Sequence, residues 1–394
     1  MIPRTLGKVA TELAKQYPVV TITGPRQSGK TTLARSLFGH LPYASLEAPD
    51  IRDFATRDPR SFLANHRDGA VLDEVQRVPE LLSYVQERVD GDGRPGMFIL
   101  TGSQNFGLLE SITQSLAGRT AILHLLPFDL EELRGASLLP EDLHLHLFAG
   151  CYPPLHDRSI APTRWYADYT ATYLERDVRQ VIQVRDLSAF QTFLGLVAGR
   201  SGQLLNLSSL AADAGLSHNT VKSWITILET SFITFRVPPF HRNVGKRLVK
   251  TPKLYFHDTG LLCYLLGIRE PTQVAQHPLR GAIFETWAMG ELVKLLRHRG
   301  RPCDLFFYRD HRGLEIDALV SLGLKWIALE FKSGRTVASD MLAPLHRFSE
   351  VVSPEETTRL LVYGGDEPQE RSTATVVPWR ELDQELLLLG AGGS

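Results

Sequence analysis

Gly24-Pro25-Arg26-Gln27-Ser28-Gly29-Lys30-Thr31-Thr32 carries the spacing G-x-x-x-x-G-K-[ST] at every fixed position. The chemistry of such a run is phosphate binding. Its glycines let the main chain curl until its N–H groups surround an anion at a helix N-terminus. Lys30 would reach the β- and γ-phosphates of a nucleoside triphosphate, and the Thr31 hydroxyl would ligate Mg2+. Further on, Ala70-Val71-Leu72 ends on two acids. Asp73 would hold the magnesium through water, and Glu74 would orient or deprotonate an attacking water. A third apolar run, Phe98 to Thr101, leads into Gly102-Ser103-Gln104-Asn105, with Thr101 and Ser103 as candidate γ-phosphate sensors. Arg119, in Leu116-Ala117-Gly118-Arg119, is a candidate arginine finger, acting in cis or on a neighbouring subunit. Together these residues call for ATP and Mg2+.

A second constellation lies near the other end. Asp317 sits within Gly313-Leu314-Glu315-Ile316-Asp317-Ala318, and Glu330-Phe331-Lys332 ends the next β-like run. Residues two apart in a strand share a face, so Glu330 and Lys332 point together. A turn near Leu322-Gly323 would leave Asp317 opposite or diagonal to Glu330. Two carboxylates and a lysine suit metal-assisted phosphodiester hydrolysis, in which the acids hold Mg2+ and the lysine positions the nucleophile. Glu285, on the preceding helix, would complete the metal shell, and Glu315 is a spare. The competing reading is a salt-bridge cluster on a hairpin.

Between them, Leu207 to Leu228 has the pattern of a helix-turn-helix. Ala211 and Ala212 are small enough for close packing, Gly215 suits a left-handed turn and Ser217 a helix cap. The second helix would present His218, Asn219 and Lys222 to phosphates or base edges. Arg236, Arg242, Lys246, Arg247, Lys250 and Lys253 follow with no acid between them, as in a wing that grips a phosphate backbone. The predicted partner is DNA, held through its backbone; the competing reading is a domain-packing module with a solvated face.

The elements that must position these groups follow from periodicity. The first third alternates β-branched runs with helical stretches, as in a parallel α/β sheet, and each run stops where such sheets place ligands. Ala121 to Pro127 reads as a further strand and Phe128 to Leu133 as a helix start. Gly150-Cys151-Tyr152-Pro153-Pro154 breaks regular structure. Trp165 to Val237 reads as helical, Phe284 to Leu296 as a helix, and Leu387 to Ser394 as a frayed end. The domain reading is 1–150, a P-loop α/β core; 151–255, a helical segment; and 256–394, an α/β domain.

Composition narrows the class. Of 394 residues, 43% are hydrophobic and 22% charged, which argues for a folded chain of more than one domain. The net charge of −1 offers no global positive field, so a nucleic-acid role needs a local basic patch. Three scattered cysteines form no disulfide framework and no cysteine-based zinc site. With no signal-like or membrane-spanning run, the expected location is cytoplasmic and no membrane partner is expected.

The runs GPRQSGKTTLARSL, VLDEVQRVPELL, FILTGSQNFGLL and LAGRTAILHLLPFDLEEL resemble the bacterial and archaeal AAA-type ATPases that carry an appended DUF4143 domain. Tyr169 to Val178 and Val249 to Leu261 continue the likeness, with the DUF4143 region spanning roughly 160–335. One departure is Cys151, where the family pattern has a second glycine. The resemblance implies an AAA-type core, a winged-helix middle and a restriction-endonuclease-like C-terminal fold. The expected function is ATP hydrolysis coupled to nucleic-acid engagement, in a homo-oligomer. The rivals are an ATP-dependent nuclease and a nucleotide-controlled protein-interaction switch with an inactive nuclease fold.

Overall fold

In this computed structural model the described residues are 2–103, 112, 114–158, 160–174, 187–240, 250–322, 325–351 and 357–391. Contacts gather them into two units. The first holds Met1–Phe128 with Thr230–Ile233 and Leu296–Pro302, and the second holds the remainder. The boundaries expected near 150 and 255 both fall inside the second unit.

The first unit is built on strands β1 (Val19–Gly24), β2 (Tyr43–Ser45), β3 (Ala70–Asp73), β4 (Phe98–Ser103) and β5 (Thr120–His124). They lie in the order β2-β3-β4-β1-β5, every pairing parallel. Helices α1 (Leu6–Ala14) and α2 (Lys30–Leu37) cover one face, and α3 (Pro49–Arg57), α4 (Pro59–Ala64) and α5 (Leu81–Gly91) the other. Strand alternation sorts the core. Val20, Ile22, Val71 and Ile99 pack with Leu6, Ala10 and Leu33, whereas Val19, Leu72, Phe98 and Leu100 pack with Phe62, Leu82 and Val85. Both faces are covered, so the strands read as continuous apolar runs. All carboxyl ends lie on one edge, and that edge carries Gly24, Asp73 and Ser103.

The second unit contains two sheets. β6 (Gln203–Leu204), β7 (Thr234–Val237) and β8 (Lys253–Phe256) form an antiparallel sheet ordered β6-β8-β7. The helices Leu207–Ala214 and His218–Thr230 stand between β6 and β7 in the chain. Asn206 caps the first through Ser209 N–H at 3.0 Å, Gly215 turns the chain at φ 65°, and Ser217 Oγ accepts from Thr220 N–H at 3.1 Å. Ala211 is buried as expected for close packing; Ala212 faces solvent.

The larger sheet comprises β9 (Leu305–Arg309), β10 (Glu315–Leu322), β11 (Lys325–Lys332), β12 (Thr357–Tyr363), β13 (Gln369–Glu370) and β14 (Thr375–Pro378). Its order is β13-β14-β12-β11-β10-β9, with β11, β12 and β14 mutually parallel and the other pairings antiparallel. The helix Ala343–Val351 packs Leu345 and Phe348 onto it. The helix at the end of the chain runs to Ala391, so fraying does not begin at Leu387. Among the described residues, no helix is long and apolar enough to cross a membrane.

Candidate functional sites

The loop closes through positive backbone φ angles, which glycine adopts most readily. Gly24 has φ 153°, and a Cβ there would lie 2.1 Å from the Leu125 carbonyl oxygen. Gln27 and Gly29 also take positive φ, 64° and 93°, before α2 begins at Lys30. Arg4 braces the loop, donating to the Ser28 carbonyl at 2.7 Å and the Leu126 carbonyl at 2.6 Å. Ser28 is fully buried and its Oγ has no hydrogen-bond partner. Pro25 is buried, Arg26 half-buried, and Gln27 and Thr32 exposed.

Lys30 is buried, and its Nζ donates to the carbonyls of Gly24 at 3.1 Å and Pro25 at 2.8 Å. Burial holds its pKa down to about 8; Glu74 and Asp73 oppose that shift and Arg26 adds to it. Asp73 is the hub of the site. Its Oδ1 accepts from Thr31 Oγ1 at 2.8 Å and from the Thr101 hydroxyl, and its Oδ2 accepts from the Tyr43 hydroxyl at 2.8 Å. Glu74 takes a left-handed backbone, φ 59°, a strained choice for a non-glycine residue. Gln76 Nε2 donates to Glu74 Oε2 and to Ser103 Oγ, the latter at 3.0 Å. The structure thus gathers Lys30, Thr31, Asp73 and Thr101 into one set and links Glu74 to Ser103.

This set fits a triphosphate with Mg2+. The buried Ser28 Oγ lacks a partner, and Thr31 and Asp73 offer hard oxygen donors.

Arg119 is not brought to this edge. It precedes β5, and its carbonyl accepts from Val19 N–H at the start of β1. Its guanidinium closes on Asp90 at 2.5 and 2.9 Å. The length of β1, roughly 17 Å, separates it from the loop. A finger role toward its own subunit's phosphates is not available from there.

In the second unit, the ladder from Leu322↔Lys325 to Ala318↔Leu329 puts Asp317 beside Glu330, as the spacing predicted. Asp317 Oδ2 accepts the Phe331 N–H at 2.9 Å, and Lys332 Nζ meets Glu330 Oε2 at 2.8 Å. Burial, then the charge of Asp317, raises Glu330 to about 8 and Glu285 to about 7. Glu285, Asp317, Glu330 and Lys332 therefore share one electrostatic neighbourhood. Sequence reading missed two members. Lys253 Nζ meets Glu285 at 3.0 Å and Glu315 at 2.7 Å, and the Tyr255 hydroxyl donates to Glu285 at 2.7 Å. The carboxylates are oxygen donors of the kind Mg2+ takes.

The basic run divides. Lys253 is buried in this cluster, and Arg236 pairs with Glu229 at 2.5 Å, so neither end is a free phosphate contact. Lys250, His218, Asn219 and Lys222 are exposed. Arg242, Lys246 and Arg247 lie outside the described residues, as does the turn at Gly323. His146, Cys151 and Glu291 also cluster, all buried. Trp287 Nε1 donates to His146 Nε2 at 2.9 Å, which leaves the ring proton on Nδ1 and no lone pair there for a metal.

Relatives bear on both sites. A sequence profile described as an AAA domain matches residues 16–134. Profiles for two domains of unknown function, DUF8612 and DUF4143, match 140–272 and 280–382. An uncharacterized protein of Mycobacterium tuberculosis (strain ATCC 25618 / H37Rv) is 31% identical over 322 residues, covering 81% of this chain and 71% of its own length. A Mycobacterium bovis protein, also uncharacterized, matches at the same identity and coverage. The chain belongs to the AAA-type ATP-binding proteins with a C-terminal DUF4143 domain. Among solved structures, the Walker-type ATPase of Pyrococcus abyssi aligns at 17% identity, over 67% of this chain and 96% of its own, with a TM-score of 0.43. AMPPCP-bound DnaA from Aquifex aeolicus aligns at 13% identity, over 57% and 85%, with a TM-score of 0.30. In this AAA-type family member the loop, Asp73 and Glu74 all fall within the AAA match, and Asp317 and Glu330 within the DUF4143 match.

Proposed function

We propose that the first unit binds ATP with Mg2+ and hydrolyses it. The observation that carries this is the convergence of Lys30, Thr31 and Thr101 around Asp73 at the carboxyl ends of β1, β3 and β4. The cradle N–H groups hold the phosphates, and Lys30 leaves the Gly24 and Pro25 carbonyls to neutralise the β- and γ-oxygens. Magnesium, when bound at Thr31 and Asp73, supplies charge stabilisation for the leaving phosphates. Glu74 takes the proton of the attacking water, and Thr101 and Ser103 report the γ-phosphate. Turnover by the wild type, reduced at least about 100-fold by Lys30→Ala, tests the assignment. Unchanged hydrolysis would overturn it. A homo-oligomer in which Arg119 leaves Asp90 to meet a neighbour's γ-phosphate belongs to the same reading, and sedimentation with and without ATP tests it.

A second reading concerns the other unit. The shared electrostatic neighbourhood of Glu285, Asp317, Glu330 and Lys332 supports a restriction-endonuclease-like metal site, and the capped helix pair that stands in the chain between strands of a three-stranded sheet supports a winged helix. Together they favour ATP-controlled engagement of DNA through its backbone, with His218, Asn219, Lys222, Arg242, Lys246, Arg247 and Lys250 as the proposed contacts. Mg2+-dependent cleavage of plasmid or branched DNA, lost on Asp317→Ala, separates the nuclease from the scaffold. Absence of both cleavage and salt-sensitive DNA binding would instead support the protein-interaction switch.

A further inference from the structure

The second oxygen of Asp73 is engaged by a residue outside every motif. Tyr43 lies on the edge strand β2, paired with β3 in the register Tyr43↔Val71 and Ser45↔Asp73. That register carries its hydroxyl to Asp73 Oδ2 at 2.8 Å, while Thr31 and Thr101 take Oδ1. The guanidinium of Arg35, on α2, sits over the Tyr43 ring at 4.7 Å. The ring is held between the edge of the sheet and α2, yet Tyr43 remains 38% exposed.

We propose that Tyr43 is a positioning residue for the nucleotide's magnesium, acting through Asp73. This rests on the ATP-binding reading above. An Asp that holds a metal through water must present one oxygen in a fixed direction, and three hydroxyl donors to two oxygens remove its rotational freedom. Donation to Oδ2 commits the phenol proton, and the phenol oxygen, which also meets the Ser45 side chain, has acceptor capacity left for one water of the metal's shell. Thr31 alone cannot supply this constraint, because its hydroxyl reaches only Oδ1.

Tyr43→Phe tests it, keeping the ring beneath Arg35 and removing one oxygen. ATP binding is measured by calorimetry in EDTA and again across a Mg2+ titration; Mn2+ binding to the ATP complex is followed by its electron paramagnetic resonance signal. The expected result is metal-free ATP affinity within about twofold of wild type and a metal requirement raised about 10- to 100-fold. An unshifted metal requirement overturns the proposal, and so does an equal loss of metal-free ATP affinity, which would mark Tyr43 as a support of the cradle. Failure of the wild type to bind ATP would instead remove the functional reading beneath it.

Discussion

Lys30 Nζ donates to the carbonyl oxygens of Gly24 and Pro25, at 3.1 and 2.8 Å, so the loop is closed by the side chain proposed to reach the phosphates. Burial holds that ammonium down to about 8, against an ordinary value of 10.5. A bound triphosphate favours the charged form and raises the pKa again. At pH 8.5 to 9 the free protein therefore has Lys30 largely neutral, and binding must take up a proton. Calorimetry in buffers of different ionisation enthalpy is expected to show uptake approaching one proton at that pH and little at pH 6.5. Lys30→Met should abolish the difference; buffer-independent heats in the wild type would contradict it.

Gln76 joins Glu74 to Ser103 through one amide nitrogen. Its orientation is dictated by chemistry, since a carboxylate only accepts and must face the NH2 group. Gln76→Ala frees Glu74, the proposed base, whose backbone is already left-handed. Single-turnover hydrolysis is expected to fall on the order of tenfold or more, with ATP affinity within about twofold. An equal loss in both would place Gln76 in binding instead.

Asp258 secures the turn after Ala149. Its carboxylate accepts from the Tyr166 hydroxyl at 2.6 Å, Leu261 N–H at 2.9 Å and Cys151 N–H at 2.8 Å, and it is 4% exposed. Gly150 leaves no room there, because a Cβ would lie 2.2 Å from the Tyr166 hydroxyl oxygen. Asp258→Ala strands two buried backbone N–H donors, while the Tyr166 hydroxyl keeps the Ala149 carbonyl at 3.0 Å, and should cost about 2 kcal/mol or more, read from denaturant midpoints. Asp258→Asn, which keeps one acceptor oxygen, should cost less.

The salt dependence of DNA binding addresses the basic residues. Lys222 and Lys250 are exposed, whereas Lys253 is shut into the carboxylate cluster. Lys222→Ala and Lys250→Ala should each lower the slope of log affinity against log salt by about one. Lys253→Ala should leave that slope alone and lower stability, because it leaves Glu285 and Glu315 without their shared cation.

What could be read from residues alone divides along physical lines. The loop and its strands were legible because a phosphate cradle demands glycine at fixed steps, and a sheet covered on both faces demands unbroken apolar runs. Asp317, Glu330 and Lys332 were legible because strand alternation and one hairpin fix their faces. Tyr43 was not, since its partner Asp73 is reached only through sheet pairing. Lys253 passed for part of a basic wing because local charge says nothing of burial. That Arg119 stands away from its own subunit's loop was not legible, because residue spacing does not say how far it lies from the phosphates. The short strands β2, β13 and β14 carry too few residues for any periodicity to show.

The central claim is that ATP seats in the loop between β1 and α2, and calorimetry with Mg2+ tests it most directly. The wild type should take up ATP saturably at one site per chain, and Lys30→Ala, which removes the ammonium meant for the β- and γ-oxygens, should weaken that uptake about tenfold or more. Well-folded wild type that takes up neither adenine nor guanine nucleotide would contradict the claim.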